Sequence, residues 1–318
     1  MKKNPDYSRY VLTVTLNPAV DKVAVVPDFR PGRDQLCADI LRSAGGKGIN
    51  VSRGLKILRV RTLATGIAGG GAGRMMLRLL DEENIRHDFV VARCESRTNL
   101  TVIDPVHRRM SRVLEPGPVL KTGDGRRFVM SFRRLLRFSR FVVISGRPPA
   151  GLPSSFCRGL VEIAQAEGLR VAVDTSGPAL REALKARPFL VKVNCSEAQS
   201  IIGRSHVSRS RPGLLRGLRD RGAQIAIITL GPAGAVASDG KDILSASAPR
   251  VTAVNTVGCG DAFLSGFLAA YLAGDSLAEG LRMAAASGAA SACRVLPVRF
   301  IRADVERLAG RVRIMPLR

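Results

Sequence analysis

Between residues 11 and 292 the chain alternates short β-branched runs with longer stretches of helical periodicity. Strands are predicted at residues 11–16, 61–66, 141–145, 171–174, 190–193 and 224–230, and helices at 48–58, 73–83, 154–167, 178–185, 196–202, 212–221, 260–272 and 276–292. This rhythm feeds a parallel sheet covered by helices, because parallel neighbours need a crossover long enough to hold a helix. The fold class is therefore α/β. Residues 21–43 and 99–115 break the rhythm with short alternating segments, Pro, Gly and charges. They read as strands of a small separate sheet, a lid beside the main body. The run RRFVMSFRRLLRFSR at 126–140 spaces its apolar residues as an amphipathic helix with a basic face. A hairpin-like stretch at 231–254, around Asp239-Gly240, precedes a glycine-rich turn.

That turn, Asn255-Thr256-Val257-Gly258-Cys259-Gly260-Asp261, opens directly into the apolar run AFLSGFLAAYLAG. Without side chains at Gly258 and Gly260, backbone N–H groups can converge on an anion. The helix adds its free N-terminal donors and positive dipole end to the same spot. A carboxylate is out of place there if anion binding is the whole task. Phosphoryl transfer to a hydroxyl needs both parts: a cradle for the moving phosphate and a base for the attacking oxygen. The plainer alternative is that Asp261 only charges the first helical turn.

A second glycine cluster is Ala44-Gly45-Gly46-Lys47-Gly48-Ile49-Asn50-Val51. It is not a Walker loop, since Gly48 follows Lys47 where Ser or Thr would stand. A flexible backbone running into a helix still suits a polar or anionic ligand, with Lys47 and Asn50 free to hydrogen-bond. The alternative is an ordinary strand-to-helix turn. A third cluster, GIAGGGAG at 66–73, reads equally well as a tight turn with close packing.

With 318 residues, almost half of them apolar, the chain can bury a large core. No apolar run approaches the ~20 residues of a membrane span. The basic start MKKNPDYSRY runs straight into VLTVTL without the core of a signal peptide, so a cytoplasmic protein is expected. Six single cysteines and three lone histidines indicate neither a disulfide framework nor a metal cluster. The net charge of +24 would suit a nucleic-acid binder. The arginines are spread along the whole chain, however, with no basic tail and no aromatic recognition motif. Nucleic acid is not the expected partner, and an arginine-rich source would explain the charge equally well.

Taken together, the segments resemble the ribokinase-like (PfkB) carbohydrate kinases, in the branch acting on hexose phosphates. TLNPAVD (15–21) is similar to that branch's opening, AGGKGINVSRG (44–54) to the first family signature and NTVGCGDAFLSGF (255–267) to the second. SRTNLTV (96–102), EPGP (115–118), ISGRPPAG (144–151), DTSG (174–177), KVNCSEA (192–198) and TLGPAGA (229–235) stand between them in the family's order. Each is weak alone; the ordered set is specific. The resemblance implies a three-layer α/β/α domain over 8–318, with a central mainly parallel sheet and the lid inserted at about 21–43 and 99–115.

It also implies roles. Asp261 would be the base, and the amides of Gly258, Cys259 and Gly260 the anion hole. Asp21, Gly45, Gly46, Lys47 and Asn50 would hold the sugar, with Ser145 nearby, and Arg97 and Arg112 would meet the phosphate already on it. Lys192, Asn194 and Glu197 would lie near the nucleotide phosphates, with Glu197 acting on Mg²⁺ through water. Thr229, Gly231 and Gly234 would form the nucleotide-binding turn, and Thr256, Val257, Ser287 and Gly288 would help line the adenine pocket. The cofactors would be ATP and Mg²⁺. The reaction would be phosphorylation of a hexose phosphate, foremost a fructose phosphate giving fructose 1,6-bisphosphate, with a tagatose 6-phosphate kinase as the nearest alternative. Lys47 leans towards fructose 1-phosphate and tagatose kinases, Arg112 towards a 6-phosphate substrate. A lid with open edges favours a homodimer. Rivals from other classes are a non-catalytic sugar-phosphate sensor and a basic RNA-binding protein. The chain departs from the family at Asn255, Cys259, Arg147, Val193 and the loop 296–302, where LPVRFIR replaces a glycine-containing segment.

Overall fold

The computed structural model describes residues 10–203 and 210–317; the basic start and both ends of the expected domain lie outside the described residues. The chain enters through β1 (Tyr10–Thr15), leaves for β2 (Ala19–Val25) and returns along β3 (Asp39–Gly45). It continues with α1 (Lys47–Ile57), β4 (Thr62–Ala68), α2 (Gly70–Glu82) and β5 (His87–Val91), then leaves again for β6 (Arg97–Asp104) and β7 (Arg109–Leu114). Next come α3 (Thr122–Leu136), β8 (Ser139–Ser145), α4 (Phe156–Ala166), β9 (Arg170–Asp174), α5 (Gly177–Lys185), β10 (Leu190–Asn194), α6 (Cys195–Ile202) and α7 (Arg211–Asp220). The last part holds β11 (Ile225–Thr229), β12 (Ala235–Ser238), β13 (Ile243–Ala246), α8 (Cys259–Ala273), α9 (Leu277–Ala292), α10 (Arg302–Ala309) and β14 (Ile314–Pro316).

The main sheet has ten strands in the order β14-β13-β12-β11-β10-β9-β8-β1-β4-β5. It is parallel from β5 to β11 and antiparallel in the hairpin edge that follows. Side-chain alternation sorts the core into two layers. Leu12, Val142 and Val173 meet Phe128, Leu160 and Leu180 of α3, α4 and α5. Val11, Val143 and Ile227 face Leu55, Leu264, Phe267 and Leu281 of α1, α8 and α9. α8 is apolar nearly all round because it is buried between α1 and α9, as a helix without a polar face must be. Of the described residues, no helix is long and apolar enough to cross a membrane.

The lid is a four-stranded sheet, β3-β2-β6-β7, built from the two stretches that broke the rhythm. β2 begins at Ala19 and β6 at Arg97, so the lid reaches deeper into the body than its polar segments suggested. The amphipathic run at 126–140 is helical only to Leu136. Ser139 already belongs to β8, and its hydroxyl donates to the Leu135 carbonyl at 2.8 Å, closing the helix end. β5, α10 and β14 were not predicted; each is short, and β14 pairs only at the sheet edge. The third glycine cluster opens α2, and Glu95 accepts from the Gly71 and Ala72 amides at 3.0 and 2.6 Å. The chain's own carboxylate thus fills that helix N-terminus.

Candidate active site

Seven parallel strands end on one edge of the main sheet, five of them at Thr15, Ser145, Asp174, Asn194 and Thr229. The carboxyl ends of such strands are where α/β sheets place ligands, because the loops there are free to vary. The two glycine signatures come to this edge from different directions. Gly46 precedes α1 and Gly258 precedes α8, and both helices point their N-termini at it.

Gly258 has φ +78°, and a Cβ there would lie 3.0 Å from Pro297 and Val298, so glycine is required twice over. The Gly258 and Gly260 amides have no acceptor among the described residues, leaving two N–H groups at a helix start for an anion. Cys259 N reaches Thr256 O only at 3.4 Å. The Cys259 thiol is pushed up to about 11 by burial, so it stays uncharged at neutral pH. Asn255 braces the turn from beneath: its Nδ2 donates to Val295 O at 2.7 Å and its Oδ1 accepts from Val257 N at 2.8 Å. A carboxylate could not make the first of these bonds, which accounts for the amide at a position where an acid was expected.

Asp261, in the first turn of α8, is 5% exposed. Asn50 Nδ2 donates to its Oδ2 at 2.8 Å. Burial and the negative charge of Asp174 push the Asp261 carboxyl up to about 6, against the opposing pull of Lys47, Lys192 and Asn50. Asp174 is the charged residue of this edge that sequence reasoning did not single out, although its DTSG segment was quoted. It is fully buried at the end of β9 and accepts from Lys47 Nζ at 2.7 Å and Lys192 Nζ at 2.6 Å. Burial alone would favour its neutral form, but the two ammonium groups outweigh that and hold its pKa below the usual carboxylate value. Lys47 is pulled down by burial, yet Asp174 and Asp261 hold its pKa above the usual value. Lys192 Nζ lies 3.0 Å from where a Gly260 Cβ would be, so this cation sits beside the unpaired Gly260 amide.

The group of residues expected to meet a sugar is equally compact. Asp21 of β2 stands opposite Ser43 of β3 and Asn99 of β6 in register, and Asn99 Nδ2 donates to its Oδ1 at 2.7 Å. A Cβ at Gly45 would fall 2.2 Å from Asp21 Oδ2, and one at Gly46 2.6 Å from Thr15 Cγ2. Gly45 thus leaves room for the Asp21 carboxylate within the lid, and Gly46 permits a close approach to β1 of the body. Arg97 sits at the start of β6 and donates to the carbonyls of Asn17 and Glu115. Its pKa is lowered by burial and by the positive charges of Arg147 and Arg112, despite the opposing charges of Asp21 and Glu115. Three guanidinium groups thus share one patch, a grouping that a dianion would relieve. Ser145 Oγ is buried without a partner near this patch's strand end.

Among the residues expected to meet a nucleotide, Asn194 and Thr229 are neighbours in the register of β10 and β11. Asn194 and Glu197 form a reciprocal cap on α6, with Asn194 Oδ1 accepting from Glu197 N at 2.9 Å and Glu197 Oε2 accepting from Asn194 N at 2.8 Å. One carboxylate oxygen of Glu197 remains for a hydrated cation. A lone hard carboxylate fits Mg²⁺, which keeps most of its waters, better than it would fit a dehydrated metal. No cluster of three or more metal-ligating side chains occurs among the described residues.

Thr256, Val257 and Gly231 are exposed or half-exposed. Gly234 is buried at φ +96°, and a Cβ there would strike the Ala246 carbonyl at 1.9 Å. Its glycine is thus dictated by the β12–β13 packing. Ser287 is also buried, its hydroxyl facing Gly266 across the α8–α9 contact rather than an open wall. Its neighbour Gly288 is the half-exposed one, lying against Cys259 O.

Residues 13–299 match the model of the pfkB family of carbohydrate kinases. Escherichia coli phosphofructokinase-2, crystallised with potassium, superposes with a TM-score of 0.86 at 28% identity, over 95% of this chain and 99% of that one. The same enzyme with fructose-6-phosphate gives 0.85 at 27% over the same shares. A Thermotoga maritima protein described as a possible 1-phosphofructokinase shares the fold, at 0.89 and 24% identity over 97% of this chain and 100% of that one. A match this extensive, over a site with these parts, places the chain in the pfkB family: it is a sugar kinase, a phosphotransferase with an alcohol acceptor that uses ATP and Mg²⁺.

Proposed function

We propose that the chain phosphorylates a fructose phosphate to fructose 1,6-bisphosphate, with Asp261 as general base. The observation that carries this reading is the buried Asp261 carboxyl beside the unpaired amides of Gly258 and Gly260. A base with a pKa of about 6 is largely ionised at neutral pH yet stronger than an ordinary carboxylate, which suits removal of an alcohol proton. The amides and Lys192 would take the charge spread over the moving phosphoryl group, where positioning and neutralisation count for most. Mg²⁺ would be held through water by Glu197 and would supply further charge neutralisation at the nucleotide phosphates.

Arg97, Arg112 and Arg147 would hold the phosphate already on the sugar, and Asp21, Lys47 and Asn50 its hydroxyls. The lid would pair two copies into a homodimer: Leu36, Met110, Val113 and Leu114 are exposed on it, and an open sheet edge with apolar side chains calls for cover. A coupled assay with Mg-ATP and fructose 6-phosphate, fructose 1-phosphate or tagatose 6-phosphate tests the reading. Turnover on one of the fructose phosphates is expected. Turnover on tagatose 6-phosphate alone would replace the substrate, and none on any of the three would remove the proposal.

A further inference from the structure

Asn50 carries an amide whose two ends are chemically opposite, and only one orientation serves Asp261. The end that faces Asp261 donates, Nδ2 to Oδ2 at 2.8 Å. The other end, Oδ1, accepts from Arg53 Nη1 at 2.7 Å. Arginine has five donors and no acceptor, so whatever faces it must present oxygen. Arg53 is itself held without slack: Nε and Nη2 reach the two oxygens of Glu83 at 2.6 and 3.0 Å, and Nη2 also reaches the Ala44 carbonyl at 2.6 Å. It is 2% exposed, in the second turn of α1, within a run from Gly48 to Leu55 that is buried throughout. Glu83 is shared with Arg299, whose Nη2 lies 2.8 Å from its Oε1. Arg299 closes the loop whose Pro297 and Val298 abut Gly258.

We propose that Arg53 is a positioning residue that locks the Asn50 amide in its donating orientation towards Asp261, with Glu83 and Arg299 joining this clamp to the loop under the anion hole. The inference rests on the reading of Asp261 as base and adds the reason that base stays ionised. Asp261 faces Asn50 and Lys47 of α1, Asp174 of β9 and Lys192 of β10. Asp174 disfavours its charge; the lysines and the Asn50 donor favour it. Freed from Arg53, the Asn50 amide can rotate and turn its oxygen to the carboxylate, converting one supporting group into an opposing one.

The test is the titration of the Asp261 side-chain carbon by ¹³C NMR in aspartate-labelled protein, assigned with Asp261→Asn, alongside the pH profile of kcat/KM. In Arg53→Met the carboxyl should titrate about one pH unit higher, a tenfold change in its ionisation constant. The acid limb of kcat/KM should move by the same amount and converge with wild type at high pH. Arg53→Lys, which keeps a cation opposite Glu83, should show a smaller shift than Arg53→Met. If Arg53→Met fails to fold, Arg53→Met/Glu83→Gln replaces the carboxylate that faced Arg53 with an amide whose oxygen can still accept from Arg299, and is read in the same way. An unmoved Asp261 titration in the folded variant, or a loss of activity equal at every pH, overturns the clamp. Full turnover in Asp261→Asn would instead remove the base and leave the titration result standing.

Discussion

Lys47 and Lys192 share one carboxylate, that of Asp174, with Nζ of the first 2.7 Å from Oδ1 and Nζ of the second 2.6 Å from Oδ2. The two lysines come from α1 and β10, so a single buried acid joins the first glycine signature to the strand that leads into α6. Asp261 lies within the field of all three charges.

Asp174→Asn should therefore cost stability and retune the base together. Breaking a buried ion pair by removing one partner typically costs about 3–5 kcal/mol. The lower end is expected, because Lys47 reaches solvent and is screened while Lys192 is not. Urea unfolding checks this. With the charge of Asp174 gone, the Asp261 carboxyl should fall, and the acid limb of kcat/KM should move to lower pH.

Asp261→Asn should leave ATP and sugar-phosphate affinity in place but lower kcat about 10²-fold or more, the range for losing a positioned base. Steady-state kinetics with both substrates varied decides it. Unchanged kcat would show that another group takes the proton.

The same substitution should stabilise the fold at neutral pH. A folded pKa of about 6 against an ordinary value of 3.8 means that the folded chain binds the proton more tightly. The cost of this group is absent below pH 3.8, grows as pH rises through the window to about 6, and is complete above it. The melting temperature of Asp261→Asn should thus exceed that of wild type by about 2–4 °C at pH 7.5, with a smaller gap at pH 5. Calorimetry at the two pH values provides the comparison; an equal gap would sink the argument.

Arg97→Ala should act on the sugar phosphate. A hydrogen bond to a charged group contributes about 1.5–3 kcal/mol, so KM should rise about tenfold or more with little change in KM for ATP. The effect should shrink for the corresponding unphosphorylated hexose. An equal effect on both sugars would take Arg97 off the phosphate.

The parallel core and the two glycine signatures were legible because each has a local cause: β-branched runs, helical period, and turns that only glycine can make. The lid was legible by its failure to fit that pattern. Asp174 was not, since an aspartate at a strand end looks like any turn residue until Lys47 and Lys192 arrive from distant parts of the chain. The Arg53–Glu83–Arg299 clamp was hidden for the same reason, its members lying on α1, beyond α2 and before α10. Gly234 and Ser287 show the reverse. Their places in family motifs suggested ligand contact, whereas packing against Ala246 and Gly266 accounts for their small size.

β3 runs from the lid at Asp39 to the cradle at Gly45 as one uninterrupted strand, paired residue for residue with β2. No hinge separates the roof from the floor it ends in. Any rocking of the small sheet would carry Gly45 and Asp21 with it as a lever moves its own short arm, so under the proposed sugar-holding role grip and the angle of the roof become a single mechanical variable.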